Sequence, residues 1–466
     1  MIELSRRNIR AIRTTIRQSL GIASARRAPV ITLRATAKQL QIQAATETIA
    51  IECRLPGSST PECFAVPYEA MAMCEGKQDD PVSFTRQDDT VIVQWTDKGI
   101  PQTRSFPATE SVEMPTNPAK FTSIDRRFLT AMAIAVATTD TDTDSSRFAL
   151  NCVRLRGSDG QIAATDSSQA FIETGFAFPW QDAVLIPASA AFTSNDFSGA
   201  DDVLIGRTED WVSIQVNSRT LHLKIDKERR FPSIDLQIPT RGSAATTLVL
   251  ADEDVDFLVM STKRLPAVQE CNAPVTVDLN GVVAVRAAEE DHSNLTELVL
   301  SNSRRIGDEI LFNTNRNFLN RAAELGFREV YLRNAEAPAY CQDDNRTYVW
   351  ALLGAEGALH SDSQTTRISS PVTSNPQNHK PGTQTVMTTT QPTSPRPAVS
   401  NGVAAAASEP DVTPNLLQQA EALRDSLSHA LSDTRDLISL IKRNQKQNRL
   451  VETTLRSLKQ LEHIGA

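Results

Sequence analysis

The chain has 466 residues, of which 40% are hydrophobic, and its formal net charge at pH 7 is −8. At roughly 150 residues per domain this length suggests about three domains, and the acidic balance excludes a globally basic nucleic-acid-binding protein. No apolar run approaches the ~20 residues that a membrane span requires, and the arginines near the start argue against a signal peptide. The six cysteines have no CxxC spacing, so we expect reduced, packed thiols in a cytosolic protein.

The first predicted element is a helix over residues 5–20 with two stripes at helical spacing. The apolar stripe consists of Ile9, Ile12, Ile16 and Leu20. The basic stripe consists of Arg6, Arg10, Arg13 and Arg17. Residues 1–34 carry eight arginines and a single acid, and such segregation of charge is typical of phosphate-backbone binding. A packed helix with solvated arginines is the alternative, and a mitochondrial transit peptide is a third interpretation.

Residues 1–354 repeat internally with a period of about 120 residues, which is the size of a domain. The string AVPYEAMAM, which contains Pro67, returns as LIPASAAF with Pro187. The Phe-Pro pair at Phe106 returns at Phe231, and a third, more divergent copy follows. Short strands dominate each copy, so we predict an α+β fold of three repeated modules. Their boundaries are residues 1–118, 119–240 and 241–354.

Candidate catalytic and metal-binding residues are scarce in the sequence. The run of Asp140, Asp142 and Asp144 resembles a calcium-binding loop. Ser145 and Asn151 occupy the positions of the glycine and the terminal glutamate that such a loop needs, so a solvated turn is the better interpretation. None of the six histidines is spaced as a metal-binding pair. We therefore predict a protein that is not an enzyme and needs no metal or cofactor.

The last part of the chain has a different composition, because no Phe, Tyr or Trp follows Trp350. Residues 355–412 are rich in Ser, Thr, Pro and Gln and bury too little apolar surface to fold, which predicts a flexible linker. Residues 413–466 regain apolar spacing of three and four residues, which predicts a long amphipathic helix with a coiled-coil-like seam. The alternative is a helix that packs on the body or on itself.

Four strings of the body resemble the bacterial DNA sliding clamp, the β subunit of DNA polymerase III. They are RFALNCVRLRGSDGQIAATDSSQAF (residues 147–171), VLIPASAAF (184–192), LKIDKERRFPSIDLQIP (223–239) and LFNTNRNFLNRAAELGFREVYL (311–332). The resemblance implies that sheets lie outside and helices inside, and that two chains close head to tail into a ring around duplex DNA. It also implies a DNA polymerase or a clamp loader as partners and a place in the cytoplasm, at the nucleoid, without a membrane.

The resemblance also implies which residues contact DNA. Arg26 or Arg27 stands where the family has an arginine after its first helix. Arg147 and Phe148 stand where it has an arginine–aromatic pair. The predicted DNA-binding set is Arg6, Arg10, Arg13, Arg17, Arg26, Arg27, Arg147 and Phe148. Further basic residues expected on the later inner helices are Arg126, Arg127, Lys263, Arg264, Arg316 and Arg321.

The groove that holds partner peptides in this family is changed on both sides in this sequence. One side consists of Ser167, Ser168, Gln169 and Ala170, and the other of Val349, Trp350, Ala351 and Leu352. We expect the bulky Trp350 to fill the groove, so that recruitment passes to the C-terminal helix. The sequence therefore predicts a divergent, clamp-like homodimer that encircles duplex DNA without sequence specificity and tethers replication or repair proteins. The alternative is an assembly protein that keeps the clamp fold for oligomerisation and binds partners through its C-terminal helix.

Overall fold

The computed structural model describes residues 1–23, 28–57, 60–140, 148–194, 197, 202–268, 272–289 and 294–372. All of these residues belong to one unit, residues 1–378. The predicted C-terminal helix, most of the predicted linker, and Arg26, Arg27 and Arg147 lie outside the described residues. The predictions made for them therefore stay predictions.

Module 1 contains one four-stranded sheet, four strands of a second sheet that continues into module 2, and two helices. Its first sheet has the order β1 (Ile2–Ser5), β6 (Pro81–Gln87), β7 (Thr90–Asp97), β8 (Ile100–Pro107). Its second sheet contributes the strands β5 (Glu62–Val66), β2 (Ile31–Ala35), β3 (Gln39–Ala45) and β4 (Ile49–Pro56). The helices are α1 (Arg6–Ser19) and α2 (Tyr68–Cys74). Each helix directly follows a strand, β1 in one case and β5 in the other.

Module 2 repeats this arrangement with one shortened element. One set of strands is β9 (Thr122–Ile124), β14 (Val203–Arg207), β15 (Trp211–Val216) and β16 (Arg219–Lys224). The other set is β13 (Ala183–Pro187), β10 (Cys152–Arg156), β11 (Gln161–Thr165) and β12 (Gln169–Glu173), and the helix is α3 (Arg127–Val136). The helix expected after Pro187 is only a 3-10 turn, Ala190–Thr193. The Ser194 hydroxyl donates to the Ala191 carbonyl oxygen at 2.7 Å and so competes with continuation of the helix.

Module 3 contains the same two sets of strands with additions at their edges. One set is β21 (Arg304–Gly307), β17 (Thr246–Val249), β23 (Glu329–Leu332), β24 (Ala339–Gln342) and β25 (Arg346–Trp350). The other is β22 (Leu311–Asn315), β18 (Pro274–Asp278), β19 (Val283–Ala287), β20 (Thr296–Leu300) and β26 (Thr366–Ser369). The helices are α4 (Asp252–Thr262) and α5 (Arg316–Glu324).

The sheets continue across both boundaries between modules. At the first boundary β4 pairs antiparallel with β16, and Ile51 lies opposite Leu221. At the second boundary β12 pairs antiparallel with β25, and Phe171 lies opposite Tyr348. The helices follow the same rule, since α1 packs on the 3-10 turn of module 2 and Arg321 of α5 bonds to α3. Each boundary is thus closed by one strand pair and one helix contact.

Two expectations from the sequence are corrected by these elements. Phe106 lies inside β8, whereas Phe231 lies beyond the end of β16 and packs its ring on the guanidinium of Arg154, 4.7 Å away. The two Phe-Pro pairs are therefore not equivalent. The flexible linker predicted from residue 355 is wrong for its first part, because β26 pairs parallel with β20. This strand is held by polar contacts, which a count of apolar residues does not detect.

Candidate nucleic-acid interface and partner groove

Helix α1 presents its arginines because its other face is fixed in the core. The Ser5 hydroxyl caps the helix by accepting from the Asn8 backbone N–H at 3.2 Å, as a serine at this position commonly does. Ile9, Ile12 and Ile16 are buried, in agreement with the predicted apolar stripe. The helix runs within one residue of the predicted ends, and the basic stripe lies on the remaining faces.

Two of the four stripe arginines are bound to module 1 itself. The Arg6 guanidinium donates to the backbone oxygens of Cys74 and Glu75 and to the Asp97 carboxylate at 2.9 Å. Arg13 makes a bidentate pair with Glu75 at 2.5 and 2.7 Å and lies over the Tyr68 ring. The hydrogen bonds to Glu75 raise the pKa of Arg13 above its ordinary value. Both side chains therefore hold α1 in place, and no local pattern signals this because their partners lie more than 60 residues away.

The other two stripe arginines, Arg10 and Arg17, are exposed. Neither has an ion pair or a hydrogen bond from its side chain within the part of the chain that the structure describes. The neighbouring Arg7 is also exposed and pairs with Asp79 at 3.0 Å. An exposed guanidinium without a carboxylate partner keeps its full charge for a phosphate. Arg10 and Arg17 are therefore the strongest candidates for DNA contact among the described residues.

The later helices contribute fewer available cations than the sequence predicts. Arg316 is wholly buried and donates to five backbone oxygens of the segments around it. Arg321 donates to the carbonyl oxygens of Ile134 and Ala137 at the end of α3. The expectation that these two arginines face a DNA channel is wrong, because each satisfies backbone carbonyl groups instead.

Four predicted cations remain outside the core of the later modules. Arg127 pairs with Asp125 at 3.0 Å, and Lys263 pairs with Glu324 at 3.0 Å. Arg126 and Arg264 are exposed. Phe148 is half-buried and forms an isolated bridge with Arg230, so its expected role beside DNA stays a prediction.

Helix α4 of module 3 has the opposite charge to α1. Its sequence, DEDVDFLVMST, contains four acids and no lysine or arginine. Asp254 is buried, whereas Asp252, Glu253 and Asp256 are exposed. A duplex beside this helix would meet negative charge. Among the described helices, α1 is the most basic and α4 the most acidic.

The two sides of the predicted partner groove are brought together as neighbouring strands. Gln169 lies opposite Trp350 and Ala170 opposite Val349, and the Ala351 backbone N–H donates to the Ser168 oxygen at 2.8 Å. Ser167 adopts a positive φ of 79° in the turn before β12. Asp166 stabilises that turn, because its carboxylate accepts from two backbone N–H groups that follow it in the chain.

Trp350 does not lie in the groove as expected from the sequence. Its side chain is 1% exposed, and its indole N–H donates to the Thr314 hydroxyl of β22 at 3.0 Å. Side chains alternate between the faces of a strand, so Trp350 and Tyr348 both face the core between the two sheets of module 3. The predicted filling of the groove by this indole is therefore wrong.

The opposite face of this strand pair is apolar and is covered by the connection between modules 2 and 3. Ala170 packs in a small cluster with Ile238, and Val349 packs in a second cluster that also contains Ile238. Leu352 lies against the main core. The groove face is thus covered in part by the chain itself, through Ile238.

The described residues contain no group of three or more His, Cys, Asp or Glu side chains that could hold a metal ion. His222 is buried, its Nδ1 lies 2.8 Å from the Ser213 hydroxyl, and burial lowers its pKa to about 4. It is a neutral core histidine. Cys63, Cys74, Cys152 and Cys341 are free thiols, and burial raises the pKa of Cys74 and of Cys152 to about 12. In the described ranges, no helix has the length and apolar character of a membrane span.

Comparisons with known proteins agree with this architecture. No family model and no curated protein matches the sequence. The chain is similar to the solved structure of a sliding clamp, DNA polymerase III subunit beta, from Pseudomonas aeruginosa, with 14% identity, a TM-score of 0.62, and coverage of 76% of this chain and 98% of that one. The β subunit from Thermotoga maritima matches with 12% identity, a TM-score of 0.61, and coverage of 76% and 98%.

The β chain from Streptococcus pneumoniae matches with 13% identity, a TM-score of 0.61, and coverage of 75% of this chain and 98% of that one. Each match spans nearly the whole of the known protein, so the repeated modules are all included. The body of this chain therefore has the fold of the bacterial DNA polymerase III β subunit, the sliding clamp, which confirms at the level of fold the resemblance found in the sequence.

Proposed function

We propose that this chain is a clamp-like protein that associates head to tail with a second copy, encircles duplex DNA, and tethers replication or repair proteins without sequence specificity. The observation that carries this proposal is the repetition of one junction. Modules 1 and 2, and modules 2 and 3, meet through equivalent strand and helix contacts. Among the described residues, two surfaces are not joined to another module. They are β8 and α2 of module 1, and α4 with β20, which β26 covers, of module 3.

Such a contact between unlike surfaces is heterologous, and two copies can close it into a cycle. The two copies would contribute six modules, as the resemblance to the sliding clamps implies. Under this proposal the role is non-catalytic, and the protein acts in the cytoplasm, at the nucleoid, with a DNA polymerase or a clamp loader among its partners.

The DNA-binding part of the proposal is supported by α1. Arg10 and Arg17 are exposed and unpaired among the described residues, and together with Arg26, Arg27 and Arg147 they would contact phosphates. Contacts of this kind carry no base specificity. Binding should therefore depend on salt and on the topology of the DNA rather than on its sequence.

The partner groove is proposed to be weakened rather than filled. Ala170 and Val349 offer short side chains, and Ile238 already covers part of the face. Loss of a few buried anchors at ~2 kcal/mol each removes a micromolar affinity. Recruitment would then rely on residues 413–466, joined through the linker.

The test of encirclement is the retention of the protein on closed circular DNA compared with the same DNA after linearisation. A protein that encircles the duplex stays bound to the circle when salt is raised, and it leaves the linear molecule through the ends. Equal retention on both forms would contradict the proposal. The matched variant Arg10→Ala/Arg17→Ala should lower the initial association with both forms.

A second candidate function is an assembly protein that keeps the clamp fold but does not slide on DNA. Three observations favour it: the acidic face of α4, the burial of Arg316, and the use of Arg321 at a junction. The same experiment separates the two functions. Oligomers that form without any salt-dependent affinity for circular DNA would support assembly alone.

A further inference from the structure

Strand β26 occupies a sheet edge that has a different neighbour in the other two modules. In module 1 the equivalent strand, β4, pairs with β16 of module 2, and in module 2 the equivalent strand, β12, pairs with β25 of module 3. Both pairings are antiparallel. In module 3 the equivalent strand, β20, is covered by β26, which comes from the same chain and runs parallel to it.

The segment that leads to β26 crosses one face of module 3. The Asn313 backbone N–H donates to the Gly354 oxygen at 2.7 Å, the Leu359 N–H donates to the Thr276 hydroxyl at 3.0 Å, and Arg286 donates to the Leu359 oxygen at 3.1 Å. These contacts follow β22, β18 and β19 in turn. The segment is therefore placed at β20 by specific bonds.

The strand itself is fixed at both ends by polar contacts. Arg367 pairs with the buried carboxylate of Glu297, which also accepts from Arg286 at 2.7 Å. At the other end the Ser370 hydroxyl donates to Asp254 at 2.5 Å, and the Ser301 N–H donates to the Ser370 hydroxyl oxygen at 2.8 Å. Asp254 belongs to α4, so β26 and the residue that follows it bind both β20 and α4.

The helix side of this surface is α4, which packs on α5 and β20 of its own module. Met132 of α3 and Leu258 of α4 are buried at equivalent positions. Ile134 and Met260, which lie two residues later in the same helices, are therefore also equivalent. Met73 of α2 and Arg321 of α5 are likewise equivalent, because each is the sixth residue of its helix. Arg321 bonds to the Ile134 oxygen at the second junction. Met260 and Met73 are 58% and 44% exposed.

We infer that β26 is an internal competitor for the head-to-tail contact: it covers β20 in the free chain and must leave before β8 of a second copy can pair there, with Met73 of that copy against Met260. This inference rests on the proposed function for its choice of partner. Its chemistry is that of one strand replacing another at a sheet edge.

The exposure and the short pairing of β26 favour its displacement by a second copy. All four residues of β26 are exposed, and it pairs through four residues, whereas each internal junction pairs five. Strand β8 has eight residues. Replacement would exchange a short parallel pairing for a longer antiparallel one, which is slightly more stable per residue. Because pairing of β26 is intramolecular, the apparent dissociation constant of the dimer equals the intrinsic constant divided by the fraction of chains in which β20 is uncovered.

The test compares the full-length protein with a full-length released variant, Arg367→Glu/Ile368→Pro/Ser370→Ala. The first change places an acid against Glu297, the second removes a backbone donor from the ladder, and the third removes the bond to Asp254. We expect sedimentation equilibrium to show a dissociation constant for the dimer at least about tenfold lower for the released variant. The matched control is Val372→Pro, which places a proline at an exposed position just beyond the strand and should leave association unchanged.

A second pair of changes identifies the surface used by the released variant. Met260→Glu in that background should weaken association, and the addition of Met73→Lys should restore it through an ion pair between copies. Both residues are exposed in the free chain, so neither change disturbs a core. Association that is insensitive to Met260→Glu would overturn the assignment of this surface.

The inference is overturned if the released variant associates no more strongly than the protein of unaltered sequence. It is also overturned if the full-length dimer keeps the backbone amides of β26 protected from hydrogen exchange, since the strand would then not have left. The retention assay on circular DNA keeps the two proposals apart. A released variant that dimerises but is not retained on circular DNA would contradict the proposed function and leave the competition intact.

Discussion

Helices α1 and α4 occupy the same place in modules 1 and 3, and they carry opposite charge. Each follows the first strand of its module, and Ile12 and Ile16 of α1 correspond to the buried Leu258 and Thr262 of α4. The exposed faces differ in charge: α1 exposes three arginines, Arg7, Arg10 and Arg17, whereas α4 exposes three acids, Asp252, Glu253 and Asp256. The fold requires only the buried stripe, so the solvent faces were free to take different roles.

The helix dipole makes this difference more informative. Acids in the first turn of a helix are stabilising and bases are not. Helix α4 has three acids in its first turn, whereas α1 has none and begins with Arg6 and Arg7. The charge of α4 thus agrees with its own stability. The first-turn arginines of α1 do not agree with the dipole and are instead paired, Arg6 with Asp97 and Arg7 with Asp79, whereas Arg17 in the last turn lies where the dipole favours a cation.

The largest expected effect comes from the one buried acid of α4. Asp254 accepts hydrogen bonds from Asn302, Ser303 and Ser370, and Asp254→Ala leaves these donors without an acceptor. We expect the free energy of unfolding to fall by roughly 3 kcal/mol, measured by urea denaturation. The matched control is Asn8→Ala at the equivalent, exposed place in α1, which should have little effect. Similar small decreases for both variants would remove the structural contrast between the helices.

The next effect concerns the exposed arginines of α1. Arg10→Ala/Arg17→Ala should lower the slope of log affinity against log salt by about 1.8, at ~0.9 for each phosphate that is no longer neutralised. Fluorescence anisotropy with a short duplex over a range of salt concentrations measures this slope. The counterpart in α4, Glu253→Ala/Asp256→Ala, should not lower the affinity. An unchanged slope for the arginine variant would mean that Arg10 and Arg17 are merely solvated.

A smaller effect separates structural arginines from binding ones within α1. Arg13→Ala removes the bidentate pair with Glu75 and should cost about 1 kcal/mol of unfolding free energy, because the pair is only partly shielded from water. The salt slope of DNA binding should stay as it is in the unaltered protein. A lower slope would show that Arg13 leaves Glu75 to contact phosphate.

The smallest effect is a pH dependence at α4. Burial alone would raise the pKa of Asp254, but the hydrogen bonds from Ser370, Ser303 and Asn302 hold it below its ordinary value. A carboxyl with a lowered pKa contributes stability that is fully present above the unfolded pKa of about 3.9 and is lost as the pH falls through the folded value. The unaltered protein should therefore lose more stability on acidification to roughly pH 3 than Asp254→Asn does. Parallel pH profiles would contradict this.

Periodicity in the sequence is enough to predict the repeated modules, the fold class and helix α1. The buried Ile9, Ile12 and Ile16 leave a pattern that needs no knowledge of distant residues. The partners of Arg6 and Arg13 are distant, and no local pattern distinguishes these arginines from Arg10 and Arg17. The direction of Trp350 escapes prediction for a related reason: the face of a strand is set by the register of its neighbours.

Strand β26 shows the limit of an argument from composition. Its residues, Thr366–Ser369, include one large apolar side chain, Ile368, which is exposed. Low apolar content correctly predicts that such a segment cannot form a core of its own. It does not exclude docking on a sheet that supplies a free edge and a buried acid such as Glu297.

The continuity of the sheets across the module boundaries also constrains how the protein is made. Ile51 of β4 has its partner, Leu221, in the last strand of module 2, so the edge of β4 stays bare on the ribosome until two modules have been translated. The edge of β12 likewise stays unpaired until β25 has been translated. Unpaired edges of this kind are sites of misassembly while a chain is incomplete. A pause in translation after residue 118 leaves the edge of β4 unpaired, and a pause after residue 240 leaves the edge of β12 unpaired, so a pause at either boundary should favour aggregation of nascent chains.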